Sequence, residues 1–452
     1  MVLALPAEVF GVADTGDTAW VLTSAALVLL MTPALAFFYG GLSRGKSVLN
    51  MMMMSFGSLG VVSVIYVLWG YSMSFASAQT QEDDFFGVFD NPFSLFGLGP
   101  LMNTAEVPDP AGGDPVEQVV LGGFGSVPAI VWVAFQLTFA VITVALISGA
   151  VAERVKFGTW LVFSGIWVTV VYFPLAHMVW GNGLLSGAEG SIAAGLFGYN
   201  EETTHANTVP IDFAGGTVVH INAGMAALVL ALLVGKRAGF GRTAYRPHNI
   251  PWVMLGAALL WFGWFGFNVG SEGKADALAG QVWVNTTAAT AAAMLGWLLV
   301  ERVRDGHPTS VGAASGIVAG LVAITPACAN VSAVGALIVG VVAGVLSALA
   351  VGLKYKFGYD DSLDVVGVHL VAGLWGTVSL GLLALDTGLF YGGGFDQLII
   401  QVIVALVALA FTGVLTTVIA FALKPLGWRV PREDEDTGID ETQHAETAYE
   451  LA

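Results

Sequence analysis

The sequence predicts an all-α polytopic membrane protein. It has eleven transmembrane helices in an inverted five-plus-five repeat plus one extra helix, with the N-terminus outside and the C-terminus inside. Three observations carry this expectation. Only 11% of the residues are charged and the mean hydropathy is +0.78, where a soluble domain carries roughly 25% charged residues. Eleven apolar stretches recur along the chain, each near the ~20 residues needed to cross a ~30 Å hydrocarbon core. The basic residues fall in alternate loops, which sets orientation.

Taken in order, the apolar spans are 20–42, 48–75, 126–152, 158–180, 212–234, 251–271, 281–300, 310–328, 332–353, 363–385 and 398–423. Fifteen of the sixteen Lys and Arg residues follow odd-numbered spans. They are Arg44 and Lys46, then Arg154 and Lys156, then Lys236, Arg237, Arg242 and Arg246. Arg302 and Arg304, Lys354 and Lys356, and finally Lys424, Arg429 and Arg432 complete the set. Lys274 alone lies opposite, so odd-numbered spans exit into the cytoplasm. An odd number of spans per half gives the second half inverted topology, and sites in such repeats fall at the repeat interface. The N-terminus lacks a basic region of the signal-peptide kind, and its first apolar run continues past Pro33.

Glycine accounts for 58 of 452 residues, many at four-residue spacing, as in Gly312, Gly316 and Gly320 or Gly340 and Gly344. Small residues at that spacing let helix backbones approach closely in lipid. A single cysteine, Cys328, excludes an intrachain disulfide and reads as a packed residue. The net charge of −17 disfavours nucleic acid and suits a cationic solute, or reflects a halophilic host.

Two long loops on the outer side are rich in Gly, Pro and Asn and are expected to be irregular. Residues 76–125 carry Glu82, Asp83, Asp84, Asp90, Glu106, Asp109, Asp114 and Glu117; residues 181–211 carry Glu189, Glu201 and Glu202. Residues 1–423 form the membrane domain. The charged tail, 424–452, is expected to be disordered or to fold only against a partner or the bundle.

Chemistry concentrates at two histidines. In DFAGGTVVHINAG, His220 lies eight residues after Asp212, roughly 12 Å along a helix and near mid-membrane. In DVVGVHLVAG, His369 follows Asp364 by five residues. Both sit in the pattern Val-His-x-x-Ala-Gly, one in each half. Ionisable groups at that depth mark a pathway or a partner. Two facing imidazoles can share one hydrogen bond and remain neutral; alternatively, each bonds a helix carbonyl. No Cys or carboxylate stands at similar depth as a third metal ligand, and no nucleophile–base set points to an enzyme. Asp212 is placed to cap span five or to bias the vestibule toward cations, and Asp364 is expected to cap span ten. Phe135 and Phe139 share one helix face, and Phe267 and Ser271 are likewise four apart. Trp180 ends span four. A Trp face with a hydroxyl suits a dehydrated cation, while interfacial Trp also serves as a membrane anchor.

These stretches, with FYGGLSRGK, FQLTFAVITVALISGAVAERVKF, AHMVWG, GWFGFNVGS, TPACA and GWRVPREDEDTGID, resemble the Amt/Mep/Rh ammonium transporters, on the prokaryotic Amt side. The resemblance implies ammonium or ammonia as solute, with methylammonium as analogue, and no cofactor or metal. It implies an outer ammonium site of Trp180, Phe139 and Ser271, a gate of Phe139 and Phe267 with Phe135 beside it, and a pore lined by His220 and His369. Asp212 would hold the backbone of the outer site. The family resemblance further implies a homotrimer in the plasma membrane lipid bilayer and a PII-type signalling protein at the cytoplasmic loops and tail. The tail matches mainly at GWRVP and around Gly438, and the outer loops look longer and more acidic than the family's.

Overall fold

The computed structural model describes residues 5–80, 84–107, 116–123, 125–243 and 245–449. Among them, ten helices are long and apolar enough to cross a membrane, making this a multi-pass cell-membrane protein. They are α1 (Thr15–Leu42), α2 (Val48–Phe75), α3 (Ala129–Val151), α4 (Phe157–Trp180), α5 (Gly216–Val234), α6 (Ile250–Val269) and α7 (Ala277–Arg304). After the shorter α8 (Ser310–Ile324) come α9 (Ala333–Phe357), α10 (Val366–Leu383) and α11 (Asp396–Ala422).

The eighth expected span, 310–328, is thus cut short at 15 residues. Pro326 lacks the N–H that another turn needs. The turn that follows does work of its own. Pro326 O accepts from Phe213 N (3.2 Å), and the proline ring fills the space where a Cβ on Gly216 would lie, which fixes the start of α5.

The glycine spacing has a direct packing consequence. Cβ atoms added at Gly340 and Gly344 would fall 2.1 Å from the carbonyls of Ala289 and Ala293 on α7. Gly316 and Gly320 meet the same helix from α8. α7 is therefore held between two glycine faces at distances no larger residue allows.

Both ends of the bundle are more ordered than expected. The loop at 76–125 is not simply irregular. It forms β2 (Thr104–Val107), β3 (Val116–Gly122) and β4 (Val127–Pro128), which pair antiparallel with β1 (Phe10–Gly11) in the order β1-β3-β2, with β4 on β3. Asp90 in this loop is buried beside His177 of α4. Glu82, Asp83, Asp109 and Asp114 lie outside the described residues. In the loop at 181–211, β5 (Tyr199–Asn200) and β6 (His205–Ala206) form a hairpin.

At the opposite end, the tail resolves the alternatives left by composition: it folds against the bundle. Two short helices, α12 (Arg432–Thr437) and α13 (Ile439–His444), cross the loops. The Asp440 carboxylate accepts the N–H groups of Leu49 (3.0 Å) and Asn50 (2.7 Å) and so caps α2, whose own Ser47 side chain does not. Glu435 is buried and bonds Arg429 and Ala238 N. Beneath it, Glu153 bridges Arg44 (2.9 Å) and Arg237 (3.2 Å), and Arg237 pairs with Asp360 (2.9 Å). The loops after α1, α3, α5 and α9 therefore share one end, as alternating helix directions require.

Candidate functional site

A cavity of about 490 Å³ lies at the acidic-loop end, lined by residues of α2, α3 and α4 and of the loops beside them. Trp180, Phe139 and Ser271 line it together, with Gln136, Asn182 and His205. Trp180 is held by its indole N–H, which donates to Asp212 O at 2.8 Å. Phe139 meets it edge-on at 6.1 Å between ring centroids. The Ser271 hydroxyl donates to Phe267 O at 2.7 Å, so its oxygen is left to accept from a guest.

The floor of the cavity is aromatic. Phe139 and Phe267 stack at 4.1 Å with 19° between planes, and Phe135 abuts Phe139 edge-on at 4.8 Å. All three rings are buried. Below them, His220 stacks on Trp264 (5.5 Å, 18°) and lies 6.1 Å from Phe267. Trp264 is itself fixed by Thr325 Oγ1 at 2.9 Å. His369 completes the line: the two imidazoles stand 5.4 Å apart, with Nδ1 to Nδ1 at 3.3 Å. At that distance one Nδ1 donates and the other accepts, so the pair holds a single proton between those two nitrogens. The space beside them is about 10 Å³, lined by both histidines, Phe267, Trp264, Leu260 and Val318. That is room for one water-sized molecule.

The local backbone explains how these side chains reach one axis. Phe267, His220 and His369 all lie in π-helical turns, at Phe265–Val269, Gly216–Ile221 and Val366–Leu370. Each turn closes with an i to i−5 bond, such as Asn222 N to Thr217 O and Val371 N to Val366 O. Such turns are rare and often mark functional positions. An aspartate anchors two of them. Asp212 accepts from Gly215 (3.1 Å), Thr217 (3.0 Å) and Val218 (3.1 Å).

On α10 the equivalent acid is not Asp364. Asp361 accepts from Val365 (3.1 Å) and Val366 (2.7 Å) and is buried. Asp364 instead has φ +65° and pairs with Lys354 at 2.6 Å, lining a second cavity of about 210 Å³ at the basic-loop end. The π turn needs a carboxylate below its first free N–H groups, and three residues upstream is where it stands. The sequence held the signal: Asp361 precedes His369 by eight residues, the interval between Asp212 and His220. Trp264 and His205 carried no such signal, since both depend on tertiary placement. Among the described residues, no group of three or more His, Cys, Asp and Glu side chains could hold a metal ion.

Residues 19–449 match the family model described as the Ammonium Transporter Family. The chain is 56% identical over 458 residues to an ammonium transporter of Mycobacterium tuberculosis, covering 98% of this chain and 92% of that protein. It is 43% identical to an ammonium transporter of Aquifex aeolicus, covering 97% and 94%. Among solved structures, Mep2 of Saccharomyces cerevisiae superposes with a TM-score of 0.78 at 29% identity, covering 97% and 94% of the two chains. A protein titled Sensor Amt Protein gives 0.79 at 27% identity, covering 95% and 98%.

Proposed function

Because this chain belongs to the ammonium transporter family, a family of transporters or channels rather than enzymes, we propose that it conducts ammonium nitrogen by stripping a proton at the stacked phenyl pair. The supporting observation is the order of groups along one axis: Trp180 and Ser271, then Phe139 on Phe267, then His220 beside His369. The acidic-loop end faces outward and the basic-loop end faces the cytoplasm, as the Lys and Arg distribution requires.

The chemistry discriminates where size does not. Potassium and ammonium are similar in radius and charge. Ammonium donates hydrogen bonds, here to the free lone pair of Ser271, and can lose a proton. The Trp180 and Phe139 rings replace part of its hydration by cation–π contact. Crossing the phenyl pair removes the remainder, a step costing any ion many kcal/mol. A low-polarity setting favours the neutral amine. Ammonia then passes the histidine pair, whose neutral N–H and N edges satisfy a small polar molecule. It regains a proton at the cytoplasmic end. The proton shed at the phenyl pair returns to the water of the outer cavity, so the passage is neutral; relayed instead through His220 and His369, it would make the process electrogenic.

Purified protein in liposomes, with current and uptake recorded for ammonium, methylammonium and potassium side by side, tests this reading. Ammonium-dependent flux without potassium flux is expected. His369→Ala is expected to lower methylammonium current or admit potassium; unchanged transport and selectivity would sink the role given to the pair. A homotrimer and a PII-type partner at the basic-loop face are further parts of the proposal. Deleting residues 430–452 separates a transporter from a sensor: a transporter keeps flux and loses regulation.

A further inference from the structure

We propose that the loop segment 93–102 is a lipid-binding element, seated where headgroups meet acyl chains on the acidic-loop side of the bilayer and held there by Phe93, Phe96 and Met102. The segment reads FSLFGLGPLM and carries no charged residue. Its burial alternates with a period of three. Leu95, Leu98 and Leu101 are buried. Phe93, Phe96 and Met102 follow a second register and are 73%, 48% and 64% exposed. The Phe93 and Phe96 rings adjoin, with centroids 6.2 Å apart. The segment is therefore apolar on two faces, and the protein covers one of them. An exposed apolar patch of this kind marks a contact with protein or membrane.

Depth along α2 selects the membrane. The short 3-10 turn Phe96–Met102 packs against the π-helical turn Tyr66–Gly70 of α2, and Leu95 N donates to Ser72 Oγ at 3.0 Å. At ~1.5 Å per residue, that π turn lies roughly 27–33 Å from the start of α2, near the far edge of a ~30 Å hydrocarbon core. The span is apolar and exposed up to the same level, at Phe56, Val64 and Val67. Val67 belongs to the turn that meets the segment, so the uncovered face of the loop adjoins the lipid face of the span. Irregular backbone is not stable in the hydrocarbon itself. Here the turns satisfy part of it, Leu98 N to Leu95 O (2.9 Å) and Asn103 N to Pro100 O (3.3 Å), and at the boundary water reaches the rest. Charge plays no part in the contact. No Lys or Arg occurs between Lys46 and Arg154, and Asp90 just before the segment is buried beside His177. The partner is therefore the apolar margin of a lipid, whatever its headgroup charge.

The test exploits the single native cysteine, Cys328, which is buried. Nitroxide labels are placed on Phe93→Cys, Phe96→Cys and Met102→Cys in the full chain. Val64→Cys on the lipid face of α2 and Glu202→Cys on the β5–β6 hairpin serve as references, and labelled wild type gives the background from Cys328. Each protein is reconstituted in phosphatidylcholine vesicles with and without phosphatidylglycerol. Relaxation of the label is then measured with oxygen, which concentrates in lipid, and with a nickel chelate, which stays in water. The expected oxygen-to-nickel ratio at the three loop positions is several-fold above Glu202→Cys, below Val64→Cys, and unchanged by phosphatidylglycerol. A ratio equal to that of Glu202→Cys overturns the proposal, because the face would then lie in water. Low access to both reagents also overturns it, assigning the face to protein such as a second copy of the chain. A high ratio that appears only with phosphatidylglycerol does so too, since the contact would then depend on headgroup charge. Three separate positions keep the result readable if one variant fails to fold, and none of these readouts depends on transport.

Discussion

The turn that carries His220 and the turn that carries His369 are one device used twice, in different surroundings. Each has a buried aspartate eight residues before its histidine, accepting backbone N–H groups at the start of a π-helical turn. The surroundings diverge. His220 is wedged under Trp264 and Phe267, and the backbone of Asp212 also holds Trp180. Among the described residues, the ring contact of His369 is His220 itself, and Asp361 sits beside Lys354, Asp364 and the loop cluster built on Arg237. The first copy is tied to the aromatic rings of the proposed gate. The second is tied to charges that reach the loops and tail. The same backbone geometry thus meets aromatic rings at one end and charged side chains at the other, and that fits an inverted repeat.

The largest expected difference comes from deleting the two acids. Asp212→Ala removes three charge-assisted acceptors from buried N–H groups and Asp361→Ala removes two, at on the order of 1.5–3 kcal/mol per bond. Thermal unfolding in detergent should show the larger drop for Asp212→Ala, with transport lost in that variant. Equal drops would break the asymmetry just described.

Next come the rings. Phe267→Ala removes one face of the stack while leaving the Trp180–Phe139 contact. If the proposed gate holds, potassium leak should appear, on the order of tenfold above wild type, because the desolvation barrier at the stacked pair is lost. Transport that stays selective for ammonium would place the barrier elsewhere along the axis.

How much of this was legible in the sequence follows the same division. Helices are local: apolar length and basic loops located nearly every span, and glycine spacing located the faces on α7. The histidine pair was legible because the two motifs repeat. What escaped was set by backbone turns and tertiary contact. The early end of α8 follows from Pro326, which a reading by apolar length alone passes over. Cap rules assume an α-helical start and point to Asp364 as the acid that anchors α10, whereas the π turn reaches back to Asp361. The small sheet in the loop at 76–125 and the docked tail draw their partners from distant segments, β3 from Phe10–Gly11 and Asp440 from α2. Composition reports neither partner.

The smallest expected effect sharpens the electrostatic half of the comparison. Burial pushes Asp361 up from 3.8 to about 6, with Lys354 opposing and Asp364 adding to the shift. A carboxyl raised in the folded state stabilises most below its unfolded value and loses that contribution as pH rises through about 6. Asn at this position keeps an acceptor and never ionises. Relative to Asp361→Asn, wild type should therefore lose a few degrees in Tm between pH 5 and 7.5, with the two proteins nearest in behaviour at the acid end. The Tm difference between wild type and Asp361→Asn, followed across that range, measures it directly. A difference that is constant with pH would mean that Lys354 holds Asp361 ionised throughout. The second copy of the device would then be a fixed ion pair at the basic-loop end, and not a site whose charge the pH on that side adjusts.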